Sequence, residues 1–269
     1  MRIVIHNEEI QRDKACAEGA DQVIMTWEGQ YTTGDVISYI GLEPNRFYFV
    51  RADAAIDEAL VLVRSDHIHF RVPFDEKKTS YNPVSFCGNR HYLSIRPAQR
   101  HEISGCRNLA VNPLDQHDSE GVYPHASANV ETRGEAVFAA RNAIDGVLAT
   151  SSHGEWPYES WGINRRADAE LTLEFGRPVD ITGLKLYTRA DFPHDSWWTN
   201  ATMTFSDGSV MKLPMEKKAG EPHVFSVNPP KEGITWLRLG ELIKADDPSP
   251  FPALTQLEVY GAEHENLFM

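Results

Sequence analysis

At 269 residues the chain exceeds one typical domain and fits two, each long enough to bury its own core, with an ordinary globular composition of 41% hydrophobic and 24% charged residues. The formal net charge is -13, and it is uneven: of 39 acidic and 26 basic residues, 15 and 12 fall in residues 1–104, leaving 24 and 14 from Gly105 onward. Such a field repels phosphate backbones and anionic lipid, so nucleic acid and membrane surfaces are excluded as partners. Cys16, Cys87 and Cys106 are odd in number and lack CxxC spacing, which reads as reduced thiols rather than a disulfide framework. The run MRIVIHNEEIQRDK is acidic where a secretory leader is basic, and no apolar stretch reaches spanning length. The sequence as written is expected to be cytoplasmic, or secreted if a leader has been removed.

In chain order, the first hundred residues alternate short β-branched and aromatic runs with turn residues: VIMTW (23–27), DVISYIGL (35–42), RFYFVRA (46–52), ALVLVRS (59–65), HIHFRVPF (67–74) and HYLSIRP (91–97). Their spacing predicts a β-sandwich over 1–103, with AAIDEAL (54–60) as the one place where a helical turn competes. His67 and His69 fall on one strand face, as two metal ligands would, with His91 a possible third. No acidic ligand follows at a suitable spacing, so alternating surface histidines are the simpler account. A polar stretch from Ala98 to Gly121 reads as linker. Beyond it ASANVE, AELTLEF (169–175), DITGLKLYTR (180–189), ATMTFSDGSVMKLPM (201–215), TWLRLGEL (235–242) and LTQLEVYG (254–261) predict a second sandwich over 104–269. Asp207-Gly208 marks a two-residue hairpin, and AVFAARNAIDG (136–146) a short helical turn ended by Gly146.

Four of the six tryptophans fall in two windows between predicted strands, HGEWPYESWGINRR (153–166) and RADFPHDSWWTN (189–200). Indole faces beside His, Arg, Asp and Asn suit an amphipathic ligand with C–H patches to stack and hydroxyls or carboxylates to bond, which describes a sugar. Tryptophan is also commonly buried, so one of each pair is expected in the core; Trp197 is read as the stacker and Trp198 as core. The ligand-binding candidates are Trp156, Tyr158, Trp161, Arg165, Arg189, Asp191, His194 and Trp197. Arg165, Arg166 and Arg189 would form a basic island suited to an acidic or neutral sugar, unless Glu155, Glu159 or Asp168 pairs with them. Arg189 and Asp191 could equally form a surface ion pair.

The order from Asn108 to Glu263 resembles the discoidin-like β-sandwich, the C-type domain of coagulation factors, and within it the family 32 carbohydrate-binding modules. The matching residues are NLA (108–110), the turn into NAIDG (142–146), Thr150, the run AELTLEFGRPVDITGLKLYTR and the closing LTQLEVYG. The resemblance implies an all-β chain of two tandem sandwiches. The second would be a discoidin-like jelly roll binding an oligosaccharide or polysaccharide, galactose-binding-like and lectin-like, through loops at one end. It also implies a structural Ca²⁺ on Asp145, Thr150 and Glu258, a chemistry consistent with oxygen donors on an irregular loop. The plainer alternative is that Asp145-Gly146 caps the turn and Glu258 is a solvated strand residue.

No catalytic role is expected. Glu155, Glu159, Asp191 and Asp195 would be the acid and base candidates if the chain were instead a carbohydrate-active enzyme with a site between its domains. A third reading is a protein-interaction module using the aromatic loops as an anchor patch. The sequence does not fix oligomeric state or sugar identity.

Overall fold

The computed structural model of the chain describes residues 1–189, 196–218 and 220–264. Regular structure is overwhelmingly strand. The first unit holds β1 (Arg2–Asn7), β2 (Arg12–Glu18), β3 (Val23–Glu28), β4 (Asp35–Ile40), β5 (Arg46–Arg51), β6 (Ala59–Val63), β7 (His67–Arg71) and β8 (Arg90–Pro97). They form two antiparallel sheets, one ordered β2-β1-β4-β7 and the other running β6-β5-β8-β3. Two-residue alternation explains the packing. In β7 Ile68 and Phe70 point into the core while His67 and His69 face outward with rings 4.5 Å apart. His91 lies buried on β8 of the other sheet, its Nε2 3.1 Å from the Gly29 carbonyl oxygen, so it does not join them. The helical turn considered over 54–60 is not formed. The Asp53 carboxylate accepts the Ala55 N–H at 2.8 Å, a local turn that leads straight into β6.

The second unit contains β9 (Arg107–Asn108) and, after β10 (Val122–Tyr123), which joins the first unit's second sheet, β11 (His125–Ala128), β12 (Trp161–Gly162), β13 (Leu171–Arg189), β14 (Trp198–Phe205), β15 (Val210–Pro214), β16 (His223–Lys244) and β17 (Ala253–Glu263). The two strands expected at 169–175 and 180–189 are one 19-residue strand, β13. Its first half pairs with β11 and with the second half of β16; its second half pairs with the first half of β16 and with β17. The register slips between Glu174 and Gly183, where the chain bends from one layer to the other. Gly176 makes the bend possible: its φ is +68°, and a Cβ there would stand 2.3 Å from the Tyr123 ring. The strands thus close a sandwich around Trp161, Trp198, Phe175, Phe205 and a set of leucines. The hairpin at Asp207-Gly208 is a three-residue loop rather than a two-residue one. Phe205 N–H bonds the Ser209 carbonyl at 2.9 Å, and only Gly208 of the central pair has positive φ. The expected helix over 136–146 is a series of single 3-10 turns, with Gly146 at φ +92°.

The two units are knitted together. β10 pairs with β6, and Leu114 and Val122 belong to the first core. On the outer face of β5, Phe47 is covered by the guanidinium groups of Arg177 and Arg107, centred 4.7 and 5.7 Å from its ring. Arg177 grips Glu263 with two bonds of 2.7 and 2.8 Å, and Arg107 adds a third. Nearby, Arg141 lies 4.4 Å over the Tyr81 ring and donates to backbone oxygens of Asp115 and Pro113. Fully buried Asp115 also binds His125 Nδ1 at 2.7 Å and the Ala126 N–H at 2.9 Å, tying linker to β11.

That bond raises the His125 pKa, with the Asp115 partner outweighing burial. A histidine whose folded pKa is raised contributes its full stability below the unfolded value of about 6.5 and loses it as pH rises through the folded value. The thermal midpoint is therefore expected to fall as pH is raised through and above neutrality, and His125→Gln should flatten that slope. An equal slope in the variant would show that another group sets it.

Candidate functional site

At the loop end of the second sandwich, three segments meet around a small cleft of about 140 Å³. Arg189 is the last residue of β13, opposite Ala253 of β17; it is buried, and its Nη2 donates to the Phe251 carbonyl at 3.2 Å. Phe251 is half-buried in the Pro-rich run before β17. Across from it, the turn after β12 places Asn164 and Arg165 consecutively in the left-handed region, φ 48° and 59°. Such a conformation persists in non-glycine residues only where surroundings hold it. Here Asn164 N–H donates to Thr132 Oγ1 at 2.9 Å and Arg166 N–H to the Ile163 carbonyl at 2.9 Å. The outcome is an exposed Arg165 guanidinium 4.8 Å over the Phe251 ring. His153, Arg133 and Phe138 complete the wall; Arg133 is held by the Glu135 carboxylate. Among the described residues no carboxylate lines this cleft.

The sequence candidates are divided by this geometry. Arg165 and Arg189 both line the cleft. Trp197 is half-buried, with Lys217 Nζ 5.3 Å from its ring centroid, while Trp198 is fully buried in the core. Trp161 is a correction: it is fully buried, its Nε1 donating 3.0 Å to the Val130 carbonyl, because β12 threads it into the sandwich. Trp156 and Tyr158 are half-buried but lie away from the cleft lining. Trp156 N–H donates 2.9 Å to the Thr79 carbonyl, which draws its loop toward the first unit. Arg166 pairs with Asp168 in the exposed loop. Asp191 and His194, with Asp195, lie outside the described residues. Sequence reading missed Thr132 and Arg133, which sit on an irregular turn without periodicity, took Phe138 only as part of a helical turn, and passed over His153 in a window chosen for its tryptophans.

The residues considered for a cation separate differently. Asp145 is buried; its Oδ1 accepts the Val147 N–H at 2.9 Å and its Oδ2 accepts no hydrogen bond. Beside it, within hydrogen-bonding reach, stands Glu159, also buried, with neither oxygen hydrogen-bonded to a donor. Burial pushes both carboxyls well above the ordinary carboxylate range, and the Asp145 charge adds to the rise at Glu159. Orphaned oxygens of this kind fit a hard cation. Thr150 is buried against Gly220. Glu258 is committed elsewhere: its Oε2 accepts the Tyr260 hydroxyl at 3.1 Å and lies 3.6 Å from Lys185 Nζ, the residue opposite it on β13. Among the described residues no three His, Cys, Asp or Glu side chains converge.

A second, larger cavity of about 580 Å³ lies where the units meet, walled by Phe74, Tyr81, Arg71, Gln116, His117 and Arg141. Gln116 there bonds both the N–H and the carbonyl of Arg71, at 3.0 and 2.9 Å, closing the free edge of β7.

Residues 122–243 match the model of a family described as a domain of unknown function (DUF7402). Among curated proteins none matches the chain. Among solved structures, it is similar to chitosan-binding module 1 of a chitosanase/glucanase from Paenibacillus sp. IK-5. The identity is 18% and the TM-score 0.39, covering 58% of this chain and 99% of that one. It is likewise similar to the family 32 carbohydrate-binding module of C. perfringens NanJ, solved with galactose, at 18% identity and TM-score 0.37 over 50% of this chain and 91% of that one. The lectin domain of lectinolysin, solved with Lewis b antigen, shows 14% identity and TM-score 0.42 over 58% and 97%. No helix among the described residues is long and apolar enough to cross a membrane.

Proposed function

We propose that the cleft at the loop end of the second sandwich binds the terminal sugar of a glycan, neutral or acidic. The observation that carries this reading is the lining itself: Arg165 over the Phe251 ring, with Arg189 and His153 beside them. An aromatic face accepts the C–H side of a pyranose, and guanidinium groups bond hydroxyls or a carboxylate with forked donors. The volume is small against the usual 300–1,000 Å³ of a ligand pocket, which favours one ring at a chain end over a run of several. The negative field of the whole chain is screened beyond roughly 8 Å at physiological salt, so contact groups set the selectivity.

Titration with matched uronic-acid, neutral and amino-sugar oligosaccharides at two salt concentrations tests the proposal. The first two are expected to bind more tightly. Arg165→Ala should weaken them at least tenfold, about 1.4 kcal/mol, with the thermal midpoint nearly unchanged because the side chain is exposed. Tightest binding to chitosan fragments, weakening with salt, would assign selectivity to carboxylates instead. Silence across a broad glycan array would return the aromatic loops to a protein partner.

A further inference from the structure

Glycan capture at the cleft makes no use of the buried carboxyls of Asp145 and Glu159, neither of which lines it. A carboxylate removed from water without a donor is among the most expensive groups a fold can hold, and native structures pair such groups with donors or cations. Three oxygens here, Asp145 Oδ2 and both of Glu159, accept no hydrogen bond from a donor. Arg141 forms an ion pair with Asp145, its Nη1 standing 4.0 Å from Oδ2, beyond hydrogen-bond range. Its N–H groups are spent on Asp115, Pro113, Ser80 and Asn142. A further buried side chain that is not an acid touches the same turn. Fully buried Gln256 on β17 accepts the Gly146 N–H through Oε1 at 3.2 Å, seating its amide against the 145–147 turn, while its Nε2 has no partner.

We propose that Glu159, and not Glu258, is the second carboxylate of a calcium site whose first is Asp145. The cation is the one the discoidin-like resemblance implies; the residue that holds it is read from this chain. Calcium takes six to eight oxygens at flexible geometry and mixes carboxylates with backbone carbonyls and water, so two carboxyls on an irregular loop are a sufficient acidic complement. Glu258 is excluded because Lys185 and Tyr260 already hold its carboxylate. Gln256 is a positioning residue that fixes the turn carrying Asp145. The arrangement gives the ion a structural task, since Asp145 and Glu159 bracket the loop that brings His153 into the cleft wall. Joining its two ends would set that wall.

The test compares the full chain with Glu159→Gln, Glu258→Gln and Asp145→Asn, reading thermal midpoint with chelator and with added Ca²⁺, metal content by elemental analysis, and terbium luminescence sensitised by tryptophan. Terbium is a calcium substitute, and Trp161 lies two residues from Glu159. Wild type and Glu258→Gln are expected to hold close to one ion per chain, to lose several degrees under chelation and to regain them with Ca²⁺. Glu159→Gln and Asp145→Asn should lose the ion, the response and the terbium signal. If Glu159→Gln fails to fold, Glu159→Asp, which shortens the arm and keeps the charge, should still bind but at least tenfold more weakly. A response abolished by Glu258→Gln or retained by Glu159→Gln overturns the assignment. So does wild type that carries no metal and ignores the chelator, which would leave the two carboxyls sharing a proton.

Discussion

Alanine at Glu263 is expected to destabilise the protein by about 3–5 kcal/mol, the range for breaking a buried ion pair by removing one partner. Glu263 is nearly sealed from solvent between Arg177 and Arg107, and both guanidinium groups lie against Phe47 of the first unit. Removal would leave Arg177, itself almost wholly buried, with a single remaining bond to the Phe175 carbonyl at 2.8 Å. Burial alone would raise the Glu263 pKa, but its hydrogen bonds and attraction to the two arginines prevail and hold it below the ordinary value. A depressed carboxyl contributes stability that is complete above its unfolded pKa and is lost as pH falls through the folded one. Urea melts of wild type and Glu263→Ala at neutral pH, then at progressively lower pH, should converge. A neutral-pH difference below about 1 kcal/mol, the value of an exposed pair, would mean that water reaches this junction.

The second large effect concerns Trp161. Truncation to alanine should cost about 3–5 kcal/mol through lost burial and the cavity left behind, with the Val130 carbonyl also losing its donor. Denaturant melts read this directly. Any loss of glycan binding should disappear once the variant is assayed under conditions where it is folded. A folded, stable Trp161→Ala that fails to bind would instead return the indole to the ligand site. Arg165→Ala is expected to show the reverse pattern, so the two variants separate core from rim.

Most of the strands were legible because alternation survives wherever one face of a sheet is buried: Ile68 and Phe70 against His67 and His69 is the plainest case. The sandwich of the second unit was legible for the same reason, but its continuity was not. A bend such as that at Gly176 interrupts the apolar pattern just as a loop does, and only pairing shows that β13 carries on through both layers. β2 was missed because four of its seven residues are charged and it sits at a sheet edge. In the site, Arg189 was legible as a donor at a strand end and Arg165 as a donor in the first tryptophan window. Trp161 was not separable from Trp156 by sequence, since both are indoles in one polar window and burial depends on which of them β12 carries inward. From sequence, Glu159 reads as a hydrolytic acid or as an ion-pair partner for the neighbouring arginines, not as a partner of Asp145. Its closeness to Asp145 arises from a loop closure that leaves no periodic trace.

The pairing of the short β10 with β6 bears on the order in which the chain takes shape during synthesis. Domains generally fold as units, N-terminal first, as the ribosome delivers them. Every strand of the first unit's two sheets and every residue of its core has emerged once Tyr123 has. The second cannot close so early, because β17, its last strand, lies between β13 and β12 and also receives β9 from the start of the unit. Until Glu263 has left the ribosome, the apolar faces of β13 and β16 stand uncovered beside an already finished neighbour, and Arg177 waits at the junction for the carboxylate that arrives last.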